Sequence, residues 1–357
     1  MNNRNTDLFG KDETLQMKGI AILFIVIHNF VHAFGYSPAN EFIFDSEKWN
    51  KFWTLFTNPD FDTIYHYFSF LGWCGVPVFV FISGYGLVKK YESHNSKTIN
   101  VRQYIFKNYK KLLFLLLPGA CFYSLFNIAN TDYEGSARVL LYLTLLNNFI
   151  VKWNSFEPGV YWYFGLAFQL YLVYILYNKY RNYSFLLLSL ATTFLLLFLI
   201  PEDRTWYLKN NFFTWLPLFL IGIWAGRIKK HYKINTSIIY FPLLLILFIL
   251  LIILNSNYYL WILIPFCAVS MFIAFIRSIG KLPGVNKVLS ILGTYSASLF
   301  VVHPIVRTLC KTLNASVPDL YTNVYEFSVF LIAYMIITGI LAYFYNKLFL
   351  WLKKNFV

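Results

Sequence analysis

Charge is scarce in this sequence. Asp, Glu, Lys and Arg make up 13% of its 357 residues, where a soluble chain carries roughly a quarter. Acid is scarcer still, with 16 Asp and Glu against 30 Lys and Arg. Cysteine is nearly missing: Cys74, Cys121, Cys267 and Cys310 are scattered through apolar runs with no CxxC pair. Neither a disulfide framework nor a structural zinc site is expected from that spacing. The short alternating segments of a membrane β-barrel are also missing. The longest polar stretches are residues 36–63, 89–103 and 128–159, so no separate soluble domain is expected. The first 14 residues are polar, and no cleavable signal peptide is expected from them.

What fills the chain instead is hydrocarbon. Hydrophobic residues make up 58% and aromatics 21%. Stretches of about 20 mostly apolar residues recur, each long enough to cross a bilayer core of about 30 Å. The pattern predicts an all-α polytopic membrane protein, one domain over residues 1–357, with about ten transmembrane helices. They fall at about 15–35, 64–88, 104–127, 160–179, 183–200, 212–226, 237–254, 259–276, 288–310 and 326–350. Segment 137–150 is too short to span and is expected to be a re-entrant or interfacial helix. With that segment not crossing and both termini cytoplasmic, the inner loops and helix ends hold 22 of the 30 basic residues, and the outer ones hold 12 of the 16 acidic residues. The positive-inside rule is then met at every loop. The net charge of +14 is this asymmetry, and it points to lipid contact with no nucleic-acid partner.

Ionisable residues inside a membrane are rare and require a reason. The first span begins at Lys18 and reaches His28 after nothing but apolar residues and glycine. Ten residues at 1.5 Å each put His28 about 15 Å further along the helix, near mid-membrane. His32 follows at i+4 on the same face. Lys18 is either a snorkelling anchor or a ligand for an anion, and His28 either bonds a neighbouring helix or does chemistry. The two histidines alone do not make a metal site, because no third ligand is visible in the spans. In the second span, Pro77, Ser83, Gly84 and Gly86 punctuate "GVPVFVFISGYG". Close helix packing and a ligand-facing hydroxyl at Ser83 both fit. Arg102, Lys107, Lys110 and Lys111 precede the third span and suit phosphates, lipid headgroups or topology alike. His303, Arg307 and Lys311, at i, i+4 and i+8, form a polar stripe expected to face a cavity or another helix. The outer aromatics Tyr36, Trp49, Phe52, Trp53 and Phe56 suit either sugar rings or an interfacial belt.

These stretches, in order, resemble acyltransferase family 3, membrane proteins that O-acylate surface sugars. Lys18-Gly19-Ile20-Ala21 leading to His28 is similar to the family's first helix. "GVPVFVFISGY" looks like its Val-Pro … Ser-Gly segment, and Lys107-x-x-Lys110 sits where Arg-x-x-Arg is common. "YWYFGLAFQLYLVY" and "SASLFVVHPIV" match family segments further on, so the resemblance covers almost the whole chain. There are departures. Lysine stands at 18 in place of arginine, nine residues separate it from His28 where ten is usual, and Asn29 holds the usual histidine register, which makes His32 the nearest alternative base.

The resemblance implies transfer of an acyl group, most simply acetyl, from cytosolic acetyl-CoA to a hydroxyl of a cell-surface or lipid-linked glycan, in a bacterial inner membrane. It assigns His28 and Ser83 to catalysis and Lys18, Lys107, Lys110 and Lys111 to the acyl-CoA phosphates, with no metal. A carboxylate partner for His28 is expected from outside the spans, with Asp60, Asp62 and Glu157 as candidates. The competing reading is a proton-coupled transporter or flippase for a glycan or other small solute, and a third is a structural subunit of an envelope assembly.

Overall fold

The computed structural model describes residues 7–37, 39–92, 99–149, 159–180, 184–228, 237–279, 282–317 and 320–356. Among them every regular element is helical: α1 (Lys11–Ala33), α2 (Ser46–Thr57), α3 (Thr63–Leu71), α4 (Gly75–Tyr91), α5 (Val101–Ala129), α6 (Tyr133–Leu141), α7 (Trp162–Tyr180), α8 (Ser184–Leu199), α9 (Trp206–Asn210), α10 (Phe212–Arg227), α11 (Ser237–Asn255), α12 (Tyr258–Trp261), α13 (Ile264–Ile279), α14 (Pro283–Ser316) and α15 (Val324–Phe356), with short 3₁₀ turns between some of them. Six segments are long and apolar enough to cross a membrane: α1, the continuous Thr63–Tyr91 run, α5, Gly159–Lys179, α14 and α15. Ser184–Leu199, Phe212–Arg227, Ile239–Asn255 and Ile264–Ile279 are apolar but shorter. Segment 137–150 is not one helix, since α6 ends at Leu141 and 3₁₀ turns follow.

Helix α1 sits at the centre. Twelve of its 23 residues are buried, and it packs chiefly on α14, then on α3, α4 and α13. Lipid supplies no hydrophobic drive between helices, so close van der Waals contact between backbones must hold them. Glycines provide it in reciprocal pairs. A Cβ on Gly19 would strike the Leu289 carbonyl, and one on Gly293 would strike the Leu15 carbonyl, so α1 and α14 cross backbone to backbone. Helices α4 and α10 repeat the device, with Gly84 against the Phe219 carbonyl and Gly222 against the Phe81 carbonyl. Of the two glycines near Ser83, then, Gly84 serves packing. Gly86 has nothing within 4 Å of its missing Cβ.

The α3–α4 run carries the local feature that matters most. Between Leu71 and Gly75 the chain tightens into a 3₁₀ turn, Gly72–Cys74. Gly72 lies against the Cβ of His28 and the Phe24 carbonyl, where a side chain would not fit. The turn also swings Trp73, 1% exposed, to the side of the bundle on which residues 39–48 lie. Helix α2 starts on Asp45, whose carboxylate accepts from Glu47 N at 2.8 Å. Its Phe52 is fully buried and stacks on Phe70 with ring centres 4.1 Å apart.

Because both α1–α14 crossings are backbone contacts, Gly19→Val and Gly293→Val should each lower the unfolding midpoint in detergent, at a cost of about 1–3 kcal/mol typical of overpacking. Gly339→Ala, on the open face of α15, should leave it unchanged.

Candidate active site

Two cavities lie back to back inside the bundle. One, of about 310 Å³, opens among Lys18, Lys90 and Lys111 and also holds Ser83, Asn108 and Tyr163. The other, of about 500 Å³, holds His28, His32, Glu41, Lys48, Trp73 and Arg307. Four residues line both: Ile25, Val76, Tyr163 and Phe300. They form an apolar septum between a cationic vestibule and a histidine chamber.

The vestibule is a cluster of lysines with their carboxylates engaged elsewhere. Lys18 lies within electrostatic reach of Lys111, and Lys353 within reach of Lys111, Lys90 and Lys107. The acids at this end have other cations: Glu92 holds Arg227 through two bonds of 2.8 and 3.0 Å, Glu13 meets Arg277 at 3.3 Å, and Asp7 meets Lys89 at 2.8 Å. Among the described residues no ion pair forms at Lys18, Lys90 or Lys111. Lys107 is exposed, and Lys110 donates to the Phe356 carbonyl at 3.1 Å. The structure therefore brings Lys18 and Lys111 together in the vestibule with Ser83, and leaves Lys107 and Lys110 on its rim. Ser83 interacts with the Tyr163 phenol.

In the chamber, His28 is 4% exposed. Its Nδ1 lies 2.8 Å from the Ser69 carbonyl. A carbonyl cannot donate, so Nδ1 carries a proton, and in the neutral ring Nε2 is the nitrogen with the lone pair. That Nε2 is 3.6 Å from Glu41 Oε2. The Ser69 side of the bond is itself fixed, because the Ser69 hydroxyl donates to the Ser37 carbonyl at 2.6 Å. His32 stacks on His28 with ring centres 5.6 Å apart and is open to the chamber. Asn29 also lines it, and accepts from the Arg307 guanidinium at 3.2 Å. Of the stripe on α14 only Arg307 reaches the chamber. His303 is fully buried, donating from Nδ1 to the Leu299 carbonyl at 3.0 Å, and Lys311 is exposed.

Glu41 is the residue that sequence reasoning missed. Among the carboxylates considered for His28, Asp62 lies 3.7 Å from His66, Asp60 bonds Thr63, and Glu157 falls outside the described residues. The signal for Glu41 was faint, an acid set in the apolar-aromatic run Phe42-Ile43-Phe44. The outer aromatics singled out from the sequence, Tyr36, Trp49, Phe52, Trp53 and Phe56, do not line the chamber; Phe42, Trp73, Trp162 and Trp206 do. Among the described residues no group of three or more His, Cys, Asp or Glu side chains is placed to hold a metal.

The model for the acyltransferase domain family matches residues 16–347, from just before Lys18 to near the end of α15. The chain belongs to acyltransferase family 3. No curated protein and no solved structure matches it.

A second feature backs the acyltransferase's chamber wall. Lys209 on α9 is 1% exposed, and its ammonium lies 3.9, 4.8 and 5.7 Å from the ring centres of Trp261, Trp73 and Trp215. Its Nζ has no hydrogen-bond partner among the described residues. Trp261 Nε1 donates to the Asn40 carbonyl at 2.7 Å, and Trp215 Nε1 to the Lys209 carbonyl at 2.6 Å. The cage thus ties α9 to the residue next to Glu41. Burial pushes the Lys209 ammonium down to about 7, against a pull from Glu41 that favours the charged form. The unfolded chain binds this proton more readily, so the stability cost is full below about pH 7 and fades as pH rises toward the ordinary lysine value. Lys209→Met should therefore raise the unfolding midpoint over the parent by more at about pH 6 than at about pH 9, as read by thermal melts across that range.

Proposed function

We propose that this membrane acyltransferase moves an acetyl group from acetyl-CoA to a hydroxyl of a cell-surface or lipid-linked glycan. On this reading ten helices cross the bacterial inner membrane, and both termini and the lysine vestibule face the cytoplasm. The observation that carries it is the shared septum: a polyanion bound among Lys18, Lys90 and Lys111 has its thioester arm aimed at Ile25, Val76, Tyr163 and Phe300, with His28 on the far side.

The chemistry runs in one chamber. An acceptor hydroxyl entering from the opposite side lies against His28 Nε2, beside Glu41. His28 takes its proton as the oxygen attacks the thioester carbonyl, a general-base contribution of about 10²–10⁴-fold. The new C–O bond forms a tetrahedral intermediate, the C–S bond breaks, and the leaving thiolate takes the proton back from the imidazolium. Glu41 stabilises that imidazolium while it lasts, and the Ser69 carbonyl keeps the ring from turning. On this reading transfer is direct, from the thioester to the acceptor hydroxyl, with no covalent acyl-enzyme. Ser83 lies on the vestibule side, where with Tyr163 it meets the arm of the donor and orients its carbonyl as it enters the septum. Lys107 and Lys110 extend the cationic rim toward the adenine-side phosphates. His32, stacked on His28, lines the acceptor's path.

Purified protein in nanodiscs with radiolabelled acetyl-CoA tests this. Acetyl transfer to a glycan acceptor is expected, with His28→Gln lowering kcat by about 10²-fold or more while acetyl-CoA binding persists. Val76→Phe, which plugs the septum, should also abolish transfer with donor binding intact. Lys18→Gln and Lys111→Gln should instead raise KM for the donor, increasingly at low salt. Movement of a solute across liposomes with no acetylated product would replace the reading with a transporter.

A further inference from the structure

The bond that fixes His28 is one link of a longer chain, and the proposed reading of His28 as the base gives that chain a consequence. Gly35, at φ +91°, turns the backbone after α1 toward α3. Ser37 is then clipped between two α3 residues that share a face at i and i+3. Its carbonyl accepts from the Ser69 hydroxyl at 2.6 Å, and its N–H and hydroxyl lie 3.1 and 2.7 Å from His66 Nδ1. A backbone N–H can only donate, so His66 Nδ1 is an acceptor, and in the neutral ring the proton sits on Nε2. That Nε2 meets Asp62 Oδ1 at 3.7 Å. His66 and His28 are thus held in opposite tautomers along one relay: Asp62, His66, Ser37, Ser69, His28. The relay runs from a half-exposed end to a buried one, since the Asp62 side chain is 40% exposed and His28 is 4% exposed. Ser37 and Ser69 between them are fully buried.

A buried polar group that loses its partner pays the full cost of its desolvation, so the segment carrying it shifts to find another. We infer that His66 is a positioning residue for His28: by accepting from Ser37 it holds the Ser37 carbonyl on the Ser69 hydroxyl, and through that the Ser69 carbonyl on His28 Nδ1. A proton on His66 Nδ1 undoes this, because a ring N–H then faces the Ser37 N–H, donor against donor. The base is slackened from a distance, by a residue that does not line the chamber. The charged groups within electrostatic reach of His66 are Asp62 and Asp60, ahead of α3, and Lys51 of α2. Tyr36 meets its ring edge-on at 4.9 Å, and α15 brings the uncharged Phe327 onto Tyr36.

The test uses the full chain in nanodiscs with isotopically labelled histidine, read by solid-state NMR over about pH 5 to 8, and acetyl transfer measured separately. His28 is assigned by the signal lost in His28→Gln, and His66 by the one lost in His66→Asn. In the parent the His28 Nδ1 resonance should shift in step with the titration of His66. His66→Asn offers Oδ1 as an acceptor for Ser37 and takes no proton, so the resonance should keep the parent's neutral-pH position with that step gone. His66→Ala should displace it at every pH and lower kcat about tenfold, the worth of one hydrogen bond, with KM for the donor unchanged; His66→Asn should restore most of kcat. Ser69→Ala keeps the Ser69 carbonyl and cuts the relay, so adding His66→Ala to it should cost little more, whereas independent structural losses would add. Should His66→Ala fail to fold, His66→Asn and Ser69→Ala carry the comparison. A His28 resonance unmoved by substitution of His66 or Ser69 overturns the inference, as do additive losses. A parent that makes no acetylated product sinks the transferase reading, while the resonances still decide this one.

Discussion

The hydrogen bond from His28 Nδ1 to the Ser69 carbonyl governs the rest. It fixes a proton on Nδ1, so that in the neutral ring Nε2 is the nitrogen left to accept one. Everything near it serves that geometry. The missing Cβ of Gly72 lets the α3–α4 run lie against the histidine. The Ser69 hydroxyl is pinned to Ser37, so the accepting carbonyl cannot drift. The Gly19–Leu289 and Gly293–Leu15 crossings set the distance between α1 and α14, and with it the width of the space that Arg307 and His28 share.

The septum turns that local geometry into a division of labour. On one side lie lysines with no carboxylate partner among the described residues; on the other lie His28, Glu41 and aromatic faces; on the proposed reading the first takes a polyanion and the second a hydroxyl. A wall of Ile25, Val76, Tyr163 and Phe300 offers little to hold water. On the proposed reading, a thioester crossing it meets the acceptor before it meets solvent, which favours transfer over hydrolysis. Such a wall has a cost, since each polar group near it must be satisfied within the protein. The chain of Asn148, Gln169 and Asn211, bonded to one another's side chains and backbones and to the Trp162 and Asn210 carbonyls, does this at the edge of the chamber.

Much of this was legible in the sequence. Apolar run lengths gave α1, α5, α14 and α15, though α1 starts four residues before its expected span, α14 starts five before and ends six after its own, and α15 ends six after its own. The i+4 spacing of His28 and His32 put them on one face, and they stack there. What was not legible is what depends on distant segments meeting. Glu41 reaches His28 from a stretch without periodicity, so no pattern marks it. Lys209 carries no sequence signal of its role; only the convergence of Trp73, Trp215 and Trp261, from three separate helices or turns, cages it. The roles of the two glycines beside Ser83 also separated only in three dimensions, one packing on α10 and the other lining the vestibule.

The central claim is that donor and acceptor meet across the septum at His28. A structure of the protein with a non-hydrolysable acetyl-CoA analogue tests it most directly. The account predicts the phosphates among Lys18, Lys90 and Lys111, the arm running between Val76 and Phe300, and the acyl carbon facing His28 Nε2. A nucleotide seated beside Glu41, or an acyl group that stops at Ser83 with the septum closed, would contradict it.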